Sequence, residues 1–205
     1  MNPIIEKSLN HSMTYEEYRD LIKQLVEKHS TTGFEKTEAN INFTMLNDRR
    51  MRRWDKTLKL NDQAVEAAQR LHEHVTWLVI TESWCGDAAH VLPVFNKLVE
   101  TNRNIDLRIV LRDENENLMN MFLTNGTSSI PKLIMINDHT GHVVETYGPR
   151  PSLATQMVNN YKAEHGRLSP EFKEDLQRWY NQNKGENIIE DLTKMLCGVE
   201  PSICQ

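Results

Sequence analysis

The chain of 205 residues has room for one domain of ordinary size with elaborations, or two small ones. Apolar residues make up 39% and charged residues 26%, which supplies a buried core and excludes general disorder. A formal charge of −5 argues against a nucleic-acid or anionic-membrane protein, since both normally carry a basic surface.

No apolar run approaches the roughly 18 to 20 residues needed to span a bilayer. The opening MNPIIEKSLNHSMTYEEY lacks both a basic start and an apolar signal core, so the expectation is a cytoplasmic protein. The cysteines are Cys85, Cys197 and Cys204, an odd set that leaves at least one thiol free and builds no secreted framework.

Taken in order, the first part of the chain, residues 1–74, reads as helical. Thr14 and Glu17 have capping-box spacing, after which Tyr15, Tyr18, Ile22 and Leu25 share one helical face. A second helix is predicted between Glu38 and Leu58, burying Met51, Trp54 and Leu58. Ala64, Val65, Ala68 and Leu71 mark a third, starting near Asn61. The run DRRMRRWDK, residues 48–56, concentrates four arginines, but Asp48 and Asp55 bracket them and the helix has an apolar stripe to bury. A solvated helix face is the expectation.

At residue 75 the texture changes. VTWLVITE is a short continuous apolar run, the pattern of a strand buried on both faces. Residues 86–101 return to helical periodicity through Val91, Phe95 and Leu98, with Pro93 inside. IDLRIVLRD reads as a strand and ENENLMNMFL as a helix. After the NGTSS loop come Ile130-Pro131, the strand KLIMIN, a turn at Gly141 and the strand HVVETYG. The order is β-α-β-α-β-β over residues 75–148. Three further helices are predicted: one with Leu153, Met157 and Tyr161 on a face, one capped by Ser169-Pro170 with Phe172, Leu176 and Trp179, and one with Ile189, Leu192 and Leu196, stopped at Gly198. The expected organisation is a helical extension over 1–74 packed on a core of 75–165, with helices and a tail over 166–205.

Trp84-Cys85-Gly86 at the head of the first core helix resembles the W-C-G-P-C motif of the thioredoxin family, and Pro93 stands where that family kinks the helix. Ile130-Pro131 occupies the position of its cis-proline, and Gly148 that of a glycine bordering the same cleft. The resemblance covers about residues 75–165. It is strongest to a cytoplasmic bacterial branch with helical extensions and W-C-G-D-A. It implies an α/β thioredoxin-like fold, Cys85 as a catalytic thiol, and Ile130, Pro131 and Gly148 as a dock for an extended partner strand.

The departures matter as much. Asp87 replaces the motif proline, Ala88 replaces the resolving cysteine, and Val79 stands where the family commonly buries a proton-moving acid. Intramotif dithiol exchange is therefore impossible. A thiol at a helix N-terminus is expected to titrate below about 8.5, with Asp87 opposing that shift. The expected activity is a monothiol thiol-disulfide oxidoreductase, in which Cys85 forms a mixed disulfide or sulfenic acid released by an external thiol. The alternative is a non-catalytic thioredoxin-like peptide-binding module.

Candidate partners are a protein disulfide or a small thiol such as glutathione, with no nucleic acid and no membrane. Glu82 and His90 are candidate proton carriers, although a solvated helix surface is the expectation for His90. Arg150 is a candidate carboxylate clamp, with a solvated loop arginine as the expected default. Trp84 either shields the thiol or packs half-buried. His72 and His74 have no cluster to complete a metal site, and no metal or other cofactor is expected. Cys197 and Cys204 are expected as exposed tail thiols, with a small disulfide, metal binding or resolution of Cys85 as minor alternatives.

Overall fold

The computed structural model describes residues 1–204, the side chain of Cys204 excepted. The helices α1 (Pro3–Leu9), α2 (Tyr15–Glu27), α3 (Glu38–Thr57) and α4 (Asp62–Gln69) precede the first strand, β1 (Val75–Thr81). Then come α5 (Ala88–Val99), β2 (Ile105–Leu111), α6 (Glu116–Met121), β3 (Lys132–Asn137) and β4 (Val143–Tyr147). The helices α7 (Ser152–His165), α8 (Pro170–Asn183) and α9 (Glu186–Val199) follow, and a 3₁₀ turn covers Pro201–Cys204.

The sheet runs β2-β1-β3-β4. β1 pairs in parallel with β2, as a strand–helix–strand crossover demands, and antiparallel with β3, which turns back into β4. Every residue of β1 is buried, the outcome its uninterrupted apolar run predicts for a central strand covered on both faces. The outer edge of β2 is blunted rather than open: Met13 bridges Ile109 through two backbone hydrogen bonds of 2.8 Å, so the chain before α2 covers part of the exposed ladder.

Local signals account for most helix starts. Thr14 accepts from the Glu17 amide while Glu17 accepts from the Thr14 amide, the reciprocal box its sequence predicts. Thr37, Asn61 and Ser169 cap α3, α4 and α8 through the N-cap side chain alone. Helix α1 is capped by Asn2, with Pro3 in its first turn.

Two predicted details are corrected. The buried face of α7 is Ala154 and Val158, not Leu153, which is exposed, because the helix meets α9 along its small-residue side. Gly198 does not stop α9, which continues to Val199.

The extensions position the site. α3 packs on α5 and on α2, α9 packs on α4, α5, α7 and β4, and α1 lies against α6 and β2. The N-terminal helices and the C-terminal helices therefore both reach the element that carries the cysteine motif.

Candidate functional site

β1 ends at Thr81, and residues 82–87 turn into α5. The Cys85 amide donates to the Glu82 carbonyl at 3.1 Å, which closes the turn and brings the thiol under the helix start. Cys85 is only 7% exposed. Its Sγ donates to the carbonyl oxygen of Ile130 at 3.3 Å, and the Ile130-Pro131 peptide bond is cis. The Ile130 amide has no acceptor among the described residues. Cys85, Ile130 and Pro131 are thus brought together.

Gly148 joins them from the other side. Its φ of +109° belongs to the left-handed half of the map that favours glycine. A side chain here would collide with the Pro131 carbonyl oxygen. The close approach of β4's end to the Pro131 backbone therefore requires this residue to lack a Cβ.

The chain N-terminal to the sheet grips the motif from behind. Ser83 is buried, its amide donating to Thr32 Oγ1 at 2.8 Å and its Oγ accepting from the Thr32 amide at 3.0 Å. Its Oγ also lies 2.8 Å from Thr44 Oγ1 on α3, and its carbonyl accepts from Asn47 Nδ2 at 2.9 Å. Trp84 is half-buried, with the Arg112 guanidinium 5.0 Å above its ring. Tyr18, from α2, is 1% exposed and lies within electrostatic reach of Cys85 and Glu82.

Burial pushes the Cys85 thiol up to about 12, the neighbouring Asp87 carboxylate adds to the rise, and the amides of Ala88 and Asp87 only partly offset it. This corrects the expected depression: the helix terminus does supply donors, but desolvation outweighs them. Asp87 is itself buried. It receives a hydrogen bond from Tyr180 Oη at 3.0 Å and pairs with Arg150 at 2.8 Å. Burial raises its carboxyl above the usual range while Arg150 and Tyr180 pull it back.

Arg150 is accordingly not a solvated loop arginine. Its fork closes on Asp87, within the protein, and its Nε is buried without a partner among the described residues.

His90 is also corrected. It is fully buried, with Nδ1 accepting from Trp54 Nε1 at 2.9 Å and Nε2 2.9 Å from Gln177 Oε1. Its ring stacks on Tyr180 at 4.4 Å with the planes 1° apart. Burial drives its pKa down to about 3 despite the Gln177 bond, and Arg50 and Arg53 add to the fall, so it is a neutral core histidine.

Glu82 is fully buried. One carboxylate oxygen accepts from the Asp113 amide at 2.9 Å; the other has no partner among the described residues. Burial raises its pKa. Ala88 is buried at the first turn of α5 and supplies no second thiol. Gly86 is the half-exposed mouth of the site: a methyl group there would meet an Arg50 nitrogen at 3.6 Å and Gln177 Nε2 at 3.7 Å.

The basic run is likewise more than a solvated face, since Asp48 is buried under Arg19 and Arg52 and Arg50 is half-buried. Sequence reasoning missed Tyr18, Asn47, Gln177 and Tyr180 as members of the site. The helical spacing of Leu176 and Tyr180 was the available signal for the last.

Cys197 is half-buried and disulfide-bonded, which corrects the expectation of a free tail thiol. The corresponding expectation for the Cys204 side chain lies outside the described residues. Cys85 is the free cysteine among them. Among the described residues no group of three or more His, Cys, Asp or Glu is placed to hold a metal ion, and no helix is long and apolar enough to cross a membrane.

A four-stranded mixed sheet with a cysteine at the head of its crossover helix and a cis-proline facing that cysteine defines a thioredoxin-like protein. The sequence profile of the Thioredoxin family matches residues 33–162, and the chain belongs to that family. The match begins before α3, so the helix that grips Ser83 lies within it.

Two solved structures share the fold. One is a protein of unknown function, PA1234 from Pseudomonas aeruginosa, at 16% identity and a TM-score of 0.59 over 91% of this chain and 99% of that one. The other is an HIV epitope-scaffold at 16% identity and a TM-score of 0.57, with coverage of 91% and 99%. No curated protein matches the sequence.

Proposed function

We propose that the chain is a thioredoxin-like peptide-binding module, in which the surface beside Gly86 and the Ile130–cis-Pro131 edge receives an extended partner segment and Cys85 remains a thiol. The carrying observation is the state of that thiol. Cys85 is buried, donates its proton to the Ile130 carbonyl and sits beside a buried Asp87 carboxyl, with alanine where a resolving cysteine would stand. A sulfur held protonated is a poor nucleophile. The unpaired Ile130 amide beside it is suited to pair with a partner strand.

The test is selection of peptides from a displayed library on the wild-type protein, followed by titration onto two variants. Gly86→Leu places a bulky side chain on this surface, at a position where its Cβ meets only ordinary contacts, and is expected to abolish binding. Cys85→Ser leaves binding within about twofold, as expected when no covalent step is involved. Failure to select any peptide, or loss of binding on Cys85→Ser, overturns the reading.

A second reading, the monothiol oxidoreductase, draws support from the same thiol being free and from the Asp87 and Ala88 amides directed to it. With oxidised glutathione, the Cys85 thiolate would attack one sulfur of the disulfide. A new S–S bond forms to Cys85, reduced glutathione leaves, and the cysteine proton passes to solvent. A glutathione adduct in the intact mass of wild type and not of Cys85→Ser favours this reading.

A further inference from the structure

Beside Gly86, two arginines meet one buried carboxylate: Arg150 is in ion-pair contact with Asp87 and Arg50 lies within electrostatic reach of it, while Arg50 and Arg53 both act on His90. The acids of α3's basic run pair with cations other than Arg50: Asp48 with Arg19 and Arg52, Asp55 with Arg19, which it shares with the Tyr15 hydroxyl. Arg53 donates to Asn181, an uncharged amide.

Arg50 is the most exposed by this imbalance. It is half-buried, stands over Gly86 beside Gln177, bonds only to Asn47 Oδ1 at 3.0 Å, and forms no ion pair among the described residues. A guanidinium that has lost part of its water and gains only the longer-range field of Asp87, with no ion-pair contact, is costly for the free protein, and a carboxylate in its fork would relieve that cost. The same helix face continues outward with apolar side chains. Phe43, Leu46 and Arg50 recur at three- and four-residue spacing, and Phe43 and Leu46 are 49% and 39% exposed.

We infer that Arg50, with Gln177 beside it and Phe43 and Leu46 along the same face of α3, is a specificity subsite that takes an acidic side chain of the bound peptide, flanked by apolar residues. This rests on the peptide-binding reading and assigns its partner a chemistry: an extended acidic–apolar segment. The cis-proline edge would pair the peptide backbone without regard to sequence, and the arginine would select for charge.

Fluorescence anisotropy tests this with labelled nonapeptides that differ at one central position, glutamate, glutamine or lysine between leucines. The wild-type protein is expected to bind the glutamate peptide about tenfold or more tightly than the glutamine one, the factor a charge-assisted contact supports. The lysine peptide should bind most weakly. Arg50→Gln removes the glutamate preference, Arg50→Lys keeps part of it, and Arg49→Gln, on the exposed neighbour, keeps all of it.

Circular dichroism checks that each variant is folded, and the charge-retaining lysine variant guards against a purely structural loss. If peptides bind with no charge preference, or if the preference survives Arg50→Gln, the subsite inference fails while the peptide-binding reading stands. If none of the peptides binds and binding cannot be selected from a library, both fail.

Discussion

His90 offers the sharpest test of how the extensions and the core are joined. In the folded protein it stays neutral down to about pH 3, because it is buried between Trp54, Gln177 and Tyr180 and the charged groups that act on it, Arg50 and Arg53, disfavour the imidazolium. In the unfolded chain a histidine takes up a proton near 6.5. As pH falls below that value, protons bind the unfolded state and not the folded one, so folding free energy is lost between about 6.5 and 3. The linkage relation gives about 2 kcal/mol lost between pH 7 and pH 5 from this residue alone.

Glu82 and Asp87 act with the opposite sign. Burial raises their pKa values, so acidification returns stability to the folded state. The wild-type slope therefore mixes these contributions with those of Glu17, Glu171 and Glu200, whose lowered pKa values act in the same direction as His90, and comparison with His90→Gln isolates the histidine. Glutamine is polar and of comparable length but does not titrate. Urea unfolding followed by tryptophan fluorescence at pH 7, 6 and 5 gives both curves. The variant is expected to be less stable at pH 7, with the gap between the two proteins narrowing by about 2 kcal/mol by pH 5. A gap that stays constant across this range would refute the assignment of His90 as a buried neutral base.

Other outcomes follow from the same site. Alkylation of Cys85 by iodoacetamide at pH 8 should be at least about 100-fold slower in the folded protein than in urea, because the folded thiol titrates at about 12; similar rates would show an accessible thiolate. Gly148→Ala should destabilise by about 3 kcal/mol or more, through strain at a φ of +109° and collision with the Pro131 carbonyl. A loss under about 1 kcal/mol in a denaturant titration would contradict the close approach. Arg150→Gln should cost about 3 kcal/mol or more by leaving Asp87 buried without its cation. Adding Asp87→Asn should restore part of that, and strict additivity in the double-mutant cycle would refute the coupling.

Features governed by nearest neighbours were legible in the sequence. The capping box at Thr14, the apolar run of β1 and the proline cap of α8 each depend on residues a few positions apart. Ile130-Pro131 was readable through the family resemblance, and so was its pairing with Cys85. What escaped depends on distant parts of the chain. His90 reads as a surface residue on its own helix, and only Trp54, 36 positions earlier, and Gln177, 87 later, make it a core residue.

Asp87 read only as a charge opposing the Cys85 shift for the same reason, since its partner Tyr180 lies 93 residues away. The error on the Cys85 pKa has the same root. A helix terminus is visible locally, whereas the depth at which packing of the flanking helices buries the sulfur is not.

The Thr31–Thr32–Thr44–Ser83 hydroxyl cluster and the stack of His90 on Tyr180 bind the motif loop to both flanks at once. Transplanting the tetrapeptide following Trp84 into another scaffold would consequently carry over the letters without the chemistry. Whatever reactivity or partner choice this cysteine has is inherited with α3 and α8, so exchanges between relatives should move those helices as one cassette with the sheet.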